Sequence, residues 1–241
     1  LVNYFIRGSI SLTKVDKDYP DNKLTGAVFE VYSDTNGDGK LDKDDVLLGT
    51  MTEMEGGVYQ MTELRYGKYL VREKTAPTGY ILDENVYPVS IEENGKTYTV
   101  ENEAGKGFLN EAQKGNLKIV KTSSDGRVEG FSFRITGVNY DQTFKTDRNG
   151  EISIEGLRIG EYTVSEVSDK ASAGYILPAD KQATVQTGAT TIVQMHNELR
   201  DTPKTGDDFN PALWVSLAAA FTIGAGVLGF LGIKGKKKKE D

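Results

Sequence analysis

Short segments in which apolar and polar residues alternate run through most of the chain, from residue 8 to residue 200. They are rich in Val, Ile, Thr, Tyr and Phe, and Asp-Gly, Asn-Gly and Gly-Gly pairs separate them. Alternation with a period of two is typical of half-buried β-strands, and the glycine pairs are turn formers. The pattern therefore predicts an all-β protein built of antiparallel β-sandwiches.

The strand pattern occurs twice. Residues 8–14 (GSISLTK) align with residues 115–121 (GNLKIVK), and residues 67–73 (GKYLVRE) align with residues 160–166 (GEYTVSE). We therefore expect two tandem sandwich repeats, at 8–114 and at 115–200, each long enough to bury its own core.

Residues 1–7 look like the end of a further repeat. Asn3 precedes Gly8 by the same interval at which Asn110 precedes Gly115. We expect this segment to be the last strand of a truncated upstream repeat. The chain would then be the C-terminal fragment of a longer, exported protein.

One Lys, one Glu and one Asn in each repeat continue a row of apolar residues. Because strand side chains alternate between two faces, these polar residues are expected to point into the core. They are Lys14, Glu73 and Asn110 in the first repeat, and Lys121, Glu166 and Asn197 in the second. Burial lowers the pKa of a lysine and raises that of a glutamic acid, so both can be neutral together.

A neutral amine is a nucleophile, and a protonated carboxyl can polarise the Asn carbonyl and shuttle protons as ammonia leaves. The predicted product is a Lys–Asn isopeptide bond from the first strand to the last, with Glu73 or Glu166 as catalyst. The alternative is a lysine at a sheet edge that extends its amine into water, with Glu as an ordinary ion-pair partner. Recurrence of all three residues in the same order favours the crosslink.

The segment at residues 69–80 (YLVREKTAPTGY) resembles the E-box of collagen-adhesin B-type and SpaA-type pilin domains. The strand that opens each repeat matches their Gly-x-hydrophobic-x-hydrophobic-x-Lys pattern. This resemblance implies an Ig-like, prealbumin-like sandwich with bonds Lys14–Asn110 and Lys121–Asn197. The second repeat departs from the family at residues 171–175 (ASAGY), which replace the Ala-Pro-x-Gly-Tyr ending.

An acidic insertion, DTNGDGKLDKDD at residues 34–45, distinguishes the first repeat. Its spacing follows the EF-hand loop, with Gly39 at the sharp turn. The predicted calcium ligands are Asp34, Asn36, Asp38, the Lys40 carbonyl, Asp42 and Asp45. Asp45 stands where the pattern has a bidentate Glu, and strands rather than helices flank the loop. The alternative is a solvated acidic turn.

The last part of the chain, residues 201–241, resembles the cell-wall sorting signal of Gram-positive surface proteins. Its motif is Thr202, Pro203, Lys204, Thr205 and Gly206, with Thr202 in place of the usual Leu. An uncharged apolar run at 212–233 is long enough to cross a membrane, and a basic tail at 234–241 places the C-terminus in the cytoplasm. The resemblance implies sortase cleavage between Thr205 and Gly206 and attachment to peptidoglycan. A plain membrane anchor would share the span and the charge bias.

Composition narrows the function. The chain has no cysteine, one histidine and a net charge of −7, which argues against disulfides, His- or Cys-based catalysis and nucleic-acid binding. We therefore predict a structural stalk or adhesin module, not an enzyme, secreted and anchored to the cell wall. Expected partners are sortase, peptidoglycan, the membrane transiently, and a host or matrix ligand through upstream domains. Calcium is the expected cofactor, with no organic one. A minor or basal pilus subunit, or the wall-anchor region of a surface enzyme, are the alternatives.

Overall fold

The computed structural model describes residues 4–200. Within them the chain is all-β, as the alternation predicted. The first domain contains β1 (Arg7–Asp16), β2 (Val28–Ser33), β3 (Val46–Thr50), β4 (Thr52–Met54), a 3-10 turn (Glu55–Gly57), β5 (Val58–Arg65), β6 (Gly67–Thr75), β7 (Val86–Ile91), β8 (Thr97–Thr99) and β9 (Phe108–Asn110). The second contains β10 (Lys114–Ser123), β11 (Ser132–Gly137), β12 (Tyr140–Lys145), β13 (Glu151–Arg158), β14 (Gly160–Glu166), β15 (Tyr175–Ile176), β16 (Lys181–Val185) and β17 (Thr190–Leu199).

Each domain has two sheets around its own core. In the first domain the strand orders are β4-β5-β1-β8, with β9 also paired to β1, and β3-β2-β6-β7. In the second they are β13-β10-β17-β15 and β12-β11-β14-β16. The two cores are separate clusters of buried side chains, one centred on Phe29 and Phe108 and the other on Phe131 and Phe133.

The first and last strands of each domain run parallel. β1 pairs in parallel with β8 and β9, and β10 pairs in parallel with β17 along its length. The expectation of antiparallel sheets is wrong for these pairs. Turn signals report only on strands that a tight turn connects, and no such turn joins the first strand to the last.

The second residue of the first strand is a glycine in both domains, because its neighbours leave no room for a side chain. A Cβ on Gly115 would lie 2.1 Å from the Gln186 carbonyl oxygen, and one on Gly8 would lie 2.8 Å from the Lys96 carbonyl oxygen. The strand register shifts just after each glycine, between Gly8 and Ile10 and between Gly115 and Leu117. The two domains therefore begin with the same local geometry.

The ends of the chain are only partly described. Tyr4, Phe5 and Ile6 form no strand and are exposed, while Arg7 begins β1. The sorting motif, the apolar run at 212–233 and the basic tail lie outside the described residues. Within residues 4–200, no helix is long and apolar enough to cross a membrane.

Candidate crosslinking sites

The strand registers bring each lysine next to its asparagine. Lys14 pairs with Phe108, and Asn110 lies two residues further along β9. In the second domain Lys121 pairs with Met195, and Asn197 lies two residues further along β17. A side-chain period of two puts Lys and Asn on the same inward face in both domains.

All six polar residues singled out from the sequence are buried. Lys14, Lys121 and Asn197 are at most 1% exposed, and Glu166 is the most accessible at 9%. The lysines continue rows formed by Ile10 and Leu12 and by Leu117 and Ile119. A buried ionised group requires a partner or a change of protonation.

In the first domain the Lys14 amine lies against the asparagine. Lys14 Nζ makes a very short contact with Asn110 Oδ1 and donates a hydrogen bond to the Phe108 carbonyl oxygen at 3.2 Å. It also lies 4.7 Å from the centre of the Phe108 ring. Burial lowers the pKa of Lys14 to about 8, and the Glu73 carboxylate opposes only part of that shift. The amine is therefore much easier to deprotonate than an exposed lysine.

The Glu73 carboxyl bridges the amine and the amide nitrogen. Its Oε1 is 3.4 Å from Lys14 Nζ, and its Oε2 accepts hydrogen bonds from Asn110 Nδ2 and from the Asp83 N–H, each at 2.9 Å. Oε1 accepts no hydrogen bond from the described residues. Glu73 thus contacts the nitrogen that would leave. The expected polarisation of the Asn carbonyl is not what this geometry offers, because Asn110 Oδ1 faces Lys14.

Two backbone groups of the first site escaped the sequence analysis. The Ile81 carbonyl oxygen accepts a second hydrogen bond from Asn110 Nδ2 at 2.8 Å, and the Asp83 N–H orients Glu73. Both follow the E-box segment directly. Backbone groups carry no residue-type signal, so only the position of this loop could have indicated them.

In the second domain the carboxyl and amide meet, but the amine points elsewhere. Asn197 Nδ2 donates to Glu166 Oε1 at 2.7 Å, while Lys121 Nζ donates to the Thr122 carbonyl oxygen at 2.5 Å. Lys121 Nζ lies 4.4 Å from the centre of the Phe131 ring. Burial lowers the pKa of Lys121 and raises that of Glu166.

Two buried oxygens of the second site accept no hydrogen bond from the part of the chain that the structure describes. They are Glu166 Oε2 and Asn197 Oδ1. Unsatisfied buried acceptors are costly, so this site favours the arrival of a donor. The Lys121 amine is a candidate donor, because the strand register pairs Lys121 with Met195, two residues before Asn197 on the same face of the sheet.

The acidic insertion between β2 and β3 is a chain of turns closed by its own side chains. Asp34 is buried, and its two oxygens accept the N–H groups of Gly37 and Gly39 at 2.7 and 3.1 Å. Further side-chain oxygens accept backbone N–H groups in the same way; they belong to Asn36, Asp38, Asp42 and Asp45. In the described part of the chain, no three His, Cys, Asp or Glu side chains are grouped as a metal site.

Comparison with known proteins agrees with this architecture. The family described as "SpaA: Prealbumin-like fold domain" matches residues 8–106 and 115–199. The search of curated proteins returned no match.

Several solved structures resemble the chain, and the first of those described next supports the same fold. The Bacillus anthracis TIE protein is 23% identical to this chain, with a TM-score of 0.61. The match covers 80% of this chain and 34% of the TIE protein chain. The chain thus spans about a third of that structure. The Streptococcus agalactiae minor pilin GBS52 is 16% identical with a TM-score of 0.37, covering 83% of this chain and 99% of its own. A C-terminal fragment of the Lactobacillus rhamnosus GG pilus adhesin SpaC is 15% identical with a TM-score of 0.47, covering 83% and 99%. Because the family model matches most of its length, this chain belongs to the family of SpaA prealbumin-like fold domains.

Proposed function

We propose that the chain is a structural stalk module of a bacterial surface protein, and that each domain seals itself with a Lys–Asn isopeptide bond. The observation that carries the proposal is the first site, where Lys14 Nζ touches the Asn110 amide and Glu73 bridges the two. Held at contact distance, the amine and the amide act at very high effective concentration.

The bond forms by exchange of one nitrogen for another. Neutral Lys14 Nζ attacks Cγ of Asn110, and a proton passes from Nζ to Glu73 Oε1. The same proton then passes from the Glu73 carboxyl to Asn110 Nδ2, the Cγ–Nδ2 bond breaks, and NH₃ leaves. Glu73 ends in its starting protonation state, and no oxidant or other reactant is consumed. A surface pocket of about 330 Å³, lined in part by Asn110 and Asp83, gives ammonia a route to solvent.

The second domain needs one further movement before the same exchange. Lys121 must turn its amine from the Thr122 carbonyl towards Asn197, whose Oδ1 has no hydrogen-bond donor within residues 4–200. The unsatisfied acceptors Glu166 Oε2 and Asn197 Oδ1 favour that rotation. Glu166 then has the role of Glu73, because its carboxyl already accepts from the amide nitrogen that leaves.

The position of the bonds suits a protein under tension. A pulling force enters each domain through its first and last strands, which the bond would join directly. Lys14 and Asn110 are 96 positions apart, and the chain between them then lies outside the covalent path of the load. Such a domain cannot be extended end to end without breaking an amide.

Peptide mapping tests the bond itself. Trypsin digestion of the purified chain should release a branched peptide that contains Lys14 and Asn110, lighter than the sum of its arms by one NH₃. A second branched peptide should contain Lys121 and Asn197. Separate linear peptides carrying unmodified Lys14 and Asn110 would contradict the proposal.

We also propose that sortase joins Thr205 to peptidoglycan, on the motif and its apolar and basic flanks. In a Gram-positive host the chain should remain in the wall after boiling in detergent, and muramidase should release it. Thr205→Ala should leave it in the membrane fraction. A ladder of high-mass species in the muramidase digest would instead indicate a pilus subunit, and wild-type chain recovered only with membranes would indicate a plain anchor.

A second function, calcium binding by the insertion, is favoured by its chain of turns. The oxygens of Asp34, Asn36 and Asp38 lie within a short loop that already folds back on them. Carboxylate and amide oxygens are the donors that Ca²⁺ prefers. In the described residues these oxygens accept backbone N–H groups and no three acidic side chains are grouped as a metal site, so binding would require the side chains to turn towards a shared ion. When bound, the ion would neutralise the carboxylates and brace the loop between β2 and β3.

A further inference from the structure

Arg158 of the second domain contacts several groups of the first, and Lys114 adds a more exposed ion pair with Asp18 at 3.2 Å. Arg158, at the end of β13 in the second domain, holds the Asp16 carboxylate of the first with both terminal nitrogens, at 2.5 and 2.8 Å. It also contacts Asp18 at 3.1 Å and lies over the Tyr19 ring at 4.8 Å. The side chain of Arg158 is 12% exposed and that of Asp16 is 1% exposed. A two-point arginine–carboxylate pair fixes direction as well as distance.

Asp16 and Tyr80, its second partner, belong to the two segments that contact Asn110, the asparagine of the first crosslinking site. Asp16 is the β1 residue that pairs with Asn110, two positions after Lys14. Its Oδ2 also accepts the Tyr80 hydroxyl at 2.7 Å. Tyr80 precedes Ile81, whose carbonyl oxygen accepts Asn110 Nδ2. The Asp16 carboxylate therefore links β1, which pairs with Asn110, to the Tyr80–Ile81 loop, which accepts a hydrogen bond from the Asn110 amide.

We infer that Arg158 of the second domain is a positioning residue for the Lys14–Asn110 bond of the first. The inference rests on the proposed crosslinking function. Without Arg158, Asp16 would be a buried carboxylate that lacks its cation, which is an unfavourable state. The carboxylate would move towards water or take up a proton, and the Tyr80–Ile81 loop would lose its anchor. Asn110 would then lose the carbonyl that orients its amide.

The ionisation of Asp16 is consistent with this dependence. Burial alone would raise the pKa of Asp16, yet hydrogen bonds from Arg158, Tyr80 and the backbone hold it at about 2. The carboxylate therefore stays charged in the docked protein, and Arg158 is the only one of these donors supplied by the second domain.

The second domain has a tyrosine–aspartate pair that can be compared with Tyr80 and Asp16 of the first. Its Tyr175 hydroxyl donates to Asp125 Oδ2 at 2.7 Å, as Tyr80 does to Asp16. Asp125, however, is exposed, and Ser123 of its own domain donates to it at 2.7 Å. The Lys121–Asn197 site thus does not depend on a buried cross-domain ion pair, and its bond can report on folding within the same molecule.

The test compares both bonds in the full chain carrying Arg158→Gln. Chain accumulated unfolded in inclusion bodies is dissolved in denaturant, diluted into buffer, quenched in acid at intervals and digested. Mass spectrometry then gives the rate of each branched peptide. Arg134→Gln is the matched control, because Arg134 makes a two-point pair with Asp141 on the exposed face of the second domain. Arg158→Lys restores the charge without the two-point geometry.

We expect Arg158→Gln to slow the Lys14–Asn110 bond about tenfold or more, as small misplacements of reacting groups do. The Lys121–Asn197 bond should keep its rate, Arg134→Gln should change neither, and Arg158→Lys should recover part of the loss. Equal rates of the first bond in wild type and Arg158→Gln would overturn the assignment. So would an equal fall in both bonds, since that is a general folding defect. Absence of the first bond in wild type would instead remove the proposed function, and this inference with it.

Discussion

Replacing Glu73 with Gln should leave the first domain without its crosslink. Gln keeps the volume of the side chain but cannot pass a proton from Lys14 Nζ to Asn110 Nδ2. The peptide containing Lys14 and Asn110 should then be linear, while the Lys121–Asn197 bond still forms. The effect is confined to one domain because each site uses its own carboxyl.

The loss of stability follows from the length of chain that the bond closes. Lys14 and Asn110 are 96 positions apart, and closing a loop of that size restricts the unfolded chain by about 4.7 kcal/mol. For a domain of this size the loss corresponds to a fall in Tm of roughly 20–35 °C. Differential scanning calorimetry of the full chain should show one transition moving down by that amount and the other staying in place.

The control is Glu111→Gln, which removes an exposed charge next to Asn110. Glu111 pairs only with Lys17 at the surface among the described residues, at 3.1 Å, so the cost should be below about 1 kcal/mol. A branched Lys14–Asn110 peptide in Glu73→Gln would refute the role of the carboxyl. An uncrosslinked Glu73→Gln chain with an unchanged Tm would refute the stabilisation argument.

Three further predictions concern pH and calcium. Refolding at a series of pH values should form the Lys14–Asn110 bond about tenfold faster per pH unit up to about pH 8, with a plateau above, because only the neutral amine reacts. In Asn110→Ala, where Lys14 stays free, denaturant unfolding should show stability rising from about pH 8 to 10.5, since the unfolded chain binds more protons there; a flat profile would contradict the lowered pKa. Calcium at about 100 times its Kd should stabilise the first domain by about 2.7 kcal/mol, and Asp34→Asn should abolish the effect; no difference between calcium and chelator in the wild-type chain would remove the site.

The alternation of apolar and polar residues was sufficient to predict which side chains point into the core. The alternation placed Lys14 and Lys121 on inward faces, and the structure buries both. The internal repeat indicated two similar domains. These features are local, so a short stretch of sequence carries them.

The features that were missed depend on long-range contacts or backbone groups. The parallel pairing of β10 with β17 joins strands that no turn connects. The Ile81 carbonyl and the Asp83 N–H have no residue-type signature. Arg158 and Asp16 are 142 positions apart, and an arginine in a strand gives no indication of which carboxylate it will meet. The orientation of the Lys121 amine depends on a side-chain rotation that no pattern specifies.

The mass of the purified chain tests both crosslinks most directly. Each isopeptide bond releases one NH₃, so intact-mass spectrometry under denaturing conditions should find the chain lighter than its sequence by two molecules of ammonia. Lys14→Arg and Lys121→Arg should each restore one of them, and the double variant both. A wild-type chain at the unmodified mass of its sequence would contradict the crosslinks in both domains.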